Sequence, residues 1–236
     1  MPVALVTGAN RGIGKETARQ LVANGMAVLL GSRDPGLGEA AAKEVGAHAV
    51  RIDVTDPATV RAVADRIRAD HGGLDVLVNN AGAIAEGVPA ALTAAQVRDT
   101  FEVNVFGVVT TTNAMLPLLR AAAAPRVVNV SSTTGSLALT SAGTDFGGDA
   151  DRRMAYASSK AALNMLTIQY ARAFANDPGL AHIRVNAATP GFTATEMNGH
   201  RGTRTVAEGA RVIVDLALAE EGPTGGFFND KGPVPW

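Results

Sequence analysis

The chain has 236 residues, 47% of them hydrophobic and 18% charged, with a formal net charge of −1. That composition suits a large buried sheet and excludes a disordered chain, and the near-neutral charge gives no footing for nucleic acid or an anionic membrane surface. Cysteine is absent altogether, which removes disulfides, thiolate metal sites and a cysteine nucleophile.

Short apolar runs alternate with longer alanine-rich stretches along the whole chain. Met1-Pro2 leads straight into Val3–Val6, a first strand. This leaves no room for a secretory leader, and no apolar run reaches the ~18 residues of a membrane span, so a cytoplasmic protein is expected. Residues 13–23 read as a helix closed by Asn24-Gly25, residues 27–30 as a second strand, and residues 37–45 as a second helix ending at Gly46. Residues 49–52 form a third strand, and Thr55-Asp56-Pro57 supplies a cap and a first-turn proline for a helix over 58–69. A fourth strand covers 74–78, a long helical region 93–120, and a fifth strand Arg126–Val130. Further on come a helix over 155–175, a sixth strand over 183–186, a last helix over 206–219 and a short final strand at Gly226-Phe227-Phe228. Strands such as Val76-Leu77-Val78 and Val127-Val128 are apolar on both faces, the pattern of a parallel sheet covered on each side by helices. The expected fold is α/β, a single-domain Rossmann-type doubly wound parallel sheet spanning residues 1–236.

Six segments carry chemistry. The first strand runs into Thr7-Gly8-Ala9-Asn10-Arg11-Gly12-Ile13-Gly14 and then a helix. Glycines there let a pyrophosphate approach the backbone, and a helix N-terminus offers free N–H groups and positive potential. The spacing, Gly-x3-Gly-x-Gly, differs from the common dinucleotide fingerprint. Asn79-Asn80-Ala81-Gly82 closes the fourth strand, where such a sheet leaves a crevice. Asn104 lies in the long helical region, Val130-Ser131-Ser132-Thr133-Thr134-Gly135 follows strand five, and Thr189-Pro190-Gly191-Phe192-Thr193-Ala194-Thr195 follows strand six. The sixth is Tyr156-Ala157-Ser158-Ser159-Lys160, whose spacing stacks a phenol and an ammonium on one helix face. A neighbouring cation favours the phenolate, so Lys160 is expected to lower the pKa of Tyr156 and tune it for proton exchange with a carbonyl or alcohol oxygen.

Together these segments, in their order along the chain, resemble the short-chain dehydrogenase/reductase family over essentially the whole chain. Ser32-Arg33-Asp34, the run Leu74-Asp75-Val76-Leu77-Val78-Asn79-Asn80-Ala81-Gly82 and a long Ser-to-Tyr segment point to its carbonyl-reductase-like branch. The resemblance implies reversible reduction of a ketone or aldehyde by NADP(H). Tyr156 would protonate the carbonyl oxygen, Ser132 would donate a hydrogen bond to it, and Lys160 would lower the tyrosine pKa and hold the nicotinamide ribose. Asn104 would hold a relay water. Ser132 is preferred to Ser131 because adjacent strand-end residues face opposite ways and the family motif puts the active serine second. Gly8, Asn10, Arg11, Gly12, Ile13, Gly14, Asn80, Ala81, Gly82, Pro190 and Gly191 would line the cofactor site. Thr193, by its backbone, and Thr195, by its hydroxyl, would hold the carboxamide. Asp53 and Val54 match the adenine-contacting position, though Asp53 equally suits turn chemistry ahead of Thr55-Asp56-Pro57.

NADP is expected over NAD because the second strand ends Gly31-Ser32-Arg33, where arginine suits a ribose 2′-phosphate, and Arg11 adds a second cation. Asp34 comes one residue late for the usual acid; the competing possibility is an idle, exposed Arg33 with Asp34 turned inward. Ser132 and Tyr156 stand farther apart than in most family members. The extra segment, residues 140–153, reads as a surface excursion near the pocket mouth, and in this branch a longer insertion covers the face others use for tetramers, so a monomer is expected. Trp236, the lone tryptophan, is expected to anchor the terminus rather than close the pocket. Ala83, Ile84, Thr134, Leu137, Met154, Phe192 and Met197 flank the motifs and suggest a small apolar carbonyl or alcohol substrate. No metal-ligand spacing is present among the four histidines. Two other functions stay open: an imine reductase on the same scaffold, and a non-catalytic NADP-binding sensor.

Overall fold

The computed structural model describes residues 1–147, 152–219 and 221–236. One sheet organises them, in the order β3-β2-β1-β4-β5-β6-β7-β8. Its strands are β1 (Val3–Val6), β2 (Ala27–Ser32), β3 (His48–Arg51), β4 (Val76–Asn79), β5 (Arg126–Val130), β6 (Arg184–Ala188), β7 (Phe227–Asn229) and β8 (Gly232–Pro233). Every pairing is parallel except β7 with β8, an antiparallel edge hairpin that the sequence did not announce.

The helices are α1 (Gly12–Ala23), α2 (Pro35–Val45), α3 (Pro57–His71), α4 (Ala94–Phe101), α5 (Gly107–Ala121), α6 (Leu137–Ser141), α7 (Met154–Ala175) and α8 (Val206–Leu218). Alternation along each strand sends side chains to opposite faces. Val3 and Leu5 of β1 join one core layer with Ile67 of α3, Leu118 of α5 and Phe174 of α7. Ala4 and Val6 join the other with Leu21 of α1, Ala42 of α2 and Ile213 of α8. Both faces are therefore covered, which is why the strands carry no polar alternation.

Local chemistry sets the element ends. Asp34 and Asp56 accept from Leu37 N and Ala58 N at 2.9 Å each, capping α2 and α3 ahead of prolines in their first turns. Both helices consequently start one or two residues earlier than the apolar periodicity alone suggests. The helical region expected over 93–120 is not a uniform α-helix: a π-helical turn, Glu102–Phe106, separates α4 from α5 and contains Asn104. The excursion expected over 140–153 begins inside the short helix α6, and residues 148–151 of it lie outside the described residues.

β1 is flanked by β2 and β4, so the chain leaves the sheet in opposite directions on either side of it. The crevice at the carboxyl ends of β1 and β4 is the topological switch point where open α/β sheets bind ligands. No helix among the described residues is long and apolar enough to cross a membrane.

Candidate active site

The glycine turn after β1 is built against the segment after β4. Thr7 Oγ1 accepts from Asn80 N at 3.0 Å and Ala81 N at 3.1 Å, while Asn80 Nδ2 donates to the carbonyls of Thr7 at 2.9 Å and Gly8 at 3.0 Å. Two glycines permit this closeness. A Cβ on Gly8, whose φ is +62°, would lie 2.8 Å from Ala81 Cα, and one on Gly14 would lie 2.3 Å from Asn80 Nδ2. α1 then starts at Gly12 with no side chain capping it and no acidic residue in its first turn. Its leading N–H groups remain available to an anion.

A groove runs from this turn across the sheet edge. Gly8, Asn10, Arg11, Gly12, Gly14, Arg33, Asp53, Val54 and Ala81 line its outer half. Ile13, Asn80, Gly82 and Thr195 line this half and also the inner cavity, making the two continuous. Arg33 is exposed at the groove, and Asp34 is exposed too, occupied with its cap on α2 rather than turned inward. Asp53 performs the turn chemistry foreseen for it, its Oδ1 accepting from Thr55 N and Thr55 Oγ1 at 3.0 and 2.7 Å, and it also faces the groove. Burial pushes its carboxyl up, but the Thr55 hydrogen bonds and the nearby Arg33 and Arg51 outweigh that and hold it below its ordinary value.

Ser132, Tyr156 and Lys160 share the inner cavity with Pro190, Gly191 and Thr193. Ser132 Oγ lies 3.0 Å from Thr134 Oγ1 and accepts from Thr134 N at 3.3 Å. Ser131 is buried instead, donating to Asn164 Oδ1 at 2.5 Å. Lys160 Nζ donates to the Val130 carbonyl at 2.7 Å and stands 5.5 Å from the Tyr156 ring centroid. Burial pushes the Lys160 ammonium down to about 8. For Tyr156 the net direction opposes the sequence expectation: burial pushes the phenol up, and the Ser132 hydrogen bond and the Arg153 charge only partly offset it. The tyrosine is a neutral phenol at physiological pH.

Asn104 lines neither half of the groove. Its amide donates to the Ala83 carbonyl and Ser159 Oγ at 2.9 Å each, and accepts from Ala83 N at 2.8 Å. A Cβ on Gly82 would lie 3.5 Å from Asn104 Oδ1 and 3.9 Å from Lys160 Nζ, so the amide and the ammonium both flank Gly82. Thr193 is buried, its Oγ1 donating to the Pro190 carbonyl at 3.1 Å, whereas Thr195 lies over Gly12.

A family model described as short chain dehydrogenase matches residues 2–206. The chain belongs to the short-chain dehydrogenase family. It is 34% identical to salutaridine reductase of Papaver somniferum over 96% of this chain and 93% of that protein. It is 32% identical to the NADPH-type carbonyl reductase 1 of Rattus norvegicus over 100% of this chain and 98% of that one. The solved NADPH-bound carbonyl reductase from chicken fatty liver superposes with a TM-score of 0.85 at 30% identity, with 100% of each chain covered.

The structure of this short-chain dehydrogenase also shows residues that the sequence reading passed over. Thr7 ties β1 to β4, and Thr189 Oγ1 accepts from Thr133 N at 3.1 Å, joining the loops after β5 and β6. A hydroxyl closing an apolar strand was the available signal for both. Of the expected pocket wall, Ile84, Thr134, Phe192 and Met197 line the inner cavity; Ala83 faces the outer half, and Leu137 and Met154 are exposed outside it. Phe146 and Gly147 bring the insertion to the cavity. Trp236 stacks on Phe227 with centroids 5.4 Å apart, away from the cavity lining.

Proposed function

We propose that this enzyme reduces a ketone or aldehyde to an alcohol, reversibly, with NADPH as hydride donor. One observation carries the proposal: a serine, a tyrosine and a lysine line a cavity that continues into the groove at the glycine turn. The residues of that groove fit the dinucleotide. Gly8, Gly12 and Gly14 present bare backbone beside the open N-terminus of α1, which suits a pyrophosphate. Arg33 and Arg11 supply the cations a 2′-phosphate calls for.

Bound NADPH supplies the hydride to the carbonyl carbon. The protein's task is the negative charge that then grows on oxygen. Ser132 Oγ, positioned by Thr134, donates to that oxygen, a preorganised stabilisation that needs no rearrangement during reaction. Tyr156 transfers its phenolic proton to the same oxygen. Burial keeps the phenol protonated but also makes it a weaker acid, so proton transfer leans on charge placed beside the phenolate as it forms. Lys160, held against the Val130 carbonyl, places a cation beside the phenolate that forms and hydroxyl-binding donors toward the ribose. Asn104 flanks Gly82 together with this lysine; its amide is already committed to Ala83 and Ser159, so a relay water at this residue would use the main-chain carbonyl in the π turn.

NADPH consumption with ketones, aldehydes and cyclic imines, repeated with NADH, tests the reading. Carbonyl turnover with NADPH well above NADH is the expected result. Turnover of imines alone would replace the carbonyl assignment, and tight NADPH binding without turnover on any compound would leave a sensor.

A further inference from the structure

Arg153 is 9% exposed, a rare condition for an arginine, and it lies in the wall of the inner cavity one helical turn before Tyr156. Its Nε and Nη2 are buried without a hydrogen-bond acceptor among the described residues. Among the described residues the nearest carboxylate, Glu86 Oε1, is 3.9 Å from Nη2, an ion pair beyond hydrogen-bond reach, and that side chain is 42% exposed. The backbone is fixed: Gly87 N donates to the Arg152 carbonyl at 3.0 Å and Ala157 N to the Arg153 carbonyl at 2.8 Å. The other cation of the cavity, Lys160, is already engaged by Val130, and among the described residues no acidic side chain lines the space. A desolvated guanidinium with two N–H groups unbonded among the described residues and only a long ion pair to Glu86 is costly, and the group that completes it is a planar anion accepting two parallel N–H bonds.

We infer that the substrate carries a carboxylate that docks on Arg153 while its carbonyl meets Ser132 and Tyr156: the enzyme takes an oxo acid with an apolar body. This rests on the carbonyl-reductase reading and narrows it. Ile84, Phe146, Phe192 and Met197 supply the apolar surroundings. A monoanion matches one guanidinium that lacks a hydrogen-bonded acceptor among the described residues, whereas a phosphate dianion calls for more donors than the described cavity lining provides.

The test compares 2-, 4- and 5-oxohexanoate with their methyl esters, in the wild type and in Arg153→Gln and Arg153→Lys. At least one acid is expected to exceed its ester about 10- to 100-fold in kcat/KM. Arg153→Gln should bring that ratio to about one, chiefly through KM, and Arg153→Lys should restore part of it. NADPH titration by fluorescence confirms that each variant is folded. A wild-type ratio at or below one for all three pairs overturns the inference while ester turnover leaves carbonyl reduction standing, and so does a ratio unmoved in Arg153→Gln. Absence of turnover with every acid, ester and simple ketone, despite NADPH binding, overturns the carbonyl reading and the inference with it.

Discussion

Replacing Lys160 with methionine separates what that lysine costs the fold from what it contributes to the site. Lys160 is 4% exposed, and burial holds its ammonium at about 8 against an ordinary 10.5. At about 1.4 kcal/mol per pH unit, the folded protein carries a penalty of about 3 kcal/mol for the charged form. Between those two pKa values the unfolded chain keeps its proton while the folded one has lost it, so wild-type stability rises with pH. The contribution is complete above 10.5 and lost as pH falls through about 8. From pH 7 to 9.5 the wild type should gain about 2 kcal/mol on Lys160→Met, or about 4–8 °C in Tm for a chain of this size. Losing the 2.7 Å bond to the Val130 carbonyl costs the variant about 1 kcal/mol at every pH, which offsets the curves without changing their relative slope. Tyr156, pushed upward by burial, titrates above this window. Thermal unfolding of both nucleotide-free proteins across the range is the assay. Parallel Tm curves would refute the reasoning, because they would mean the ammonium is solvated.

Three further outcomes follow from the same geometry. Gly14→Ala places a Cβ 2.3 Å from Asn80 Nδ2 and 2.7 Å from the Gly8 carbonyl, groups held by their own hydrogen bonds. It should destabilise the protein by about 1–3 kcal/mol and weaken NADPH binding at least about tenfold, measured by melting and fluorescence titration. Arg33→Ala should cut kcat/KM for NADPH about 10- to 100-fold and leave that for NADH within a few-fold, because only the 2′-phosphate loses a partner. Since the Tyr156 phenol is pushed upward, alcohol oxidation, which needs the phenolate, should climb steadily as pH rises from about 7 to 10; a level oxidation profile contradicts that direction.

The sheet was legible because its central strands are buried on both faces and cannot alternate, and because each βα turn carries a cap, a proline or a glycine. The groove at the glycine turn was legible for a related reason: Gly8 and Gly14 are required where two backbone segments nearly touch, and that constraint leaves a residue type in the sequence. Other features left no such mark. The π turn at Asn104 changes the hydrogen-bond register without changing the apolar periodicity around it. β8 is two residues long and pairs at an edge, too short for any pattern. The direction of the Tyr156 perturbation was misjudged because a four-residue spacing reveals the neighbouring cation but not how deeply both groups are buried. Arg153 ends the 140–153 excursion, and its bridge to Gly87 and its burial are features that no local pattern announces.

The most direct test of the account is Tyr156→Phe, assayed for NADPH binding and for carbonyl reduction in the same preparation. Removing one oxygen should leave NADPH affinity within a few-fold and lower kcat about 10²- to 10⁴-fold, the usual worth of a positioned acid. A phenylalanine variant that reduces its carbonyl substrate within about threefold of the wild-type rate would contradict the assignment of Tyr156 as the proton donor.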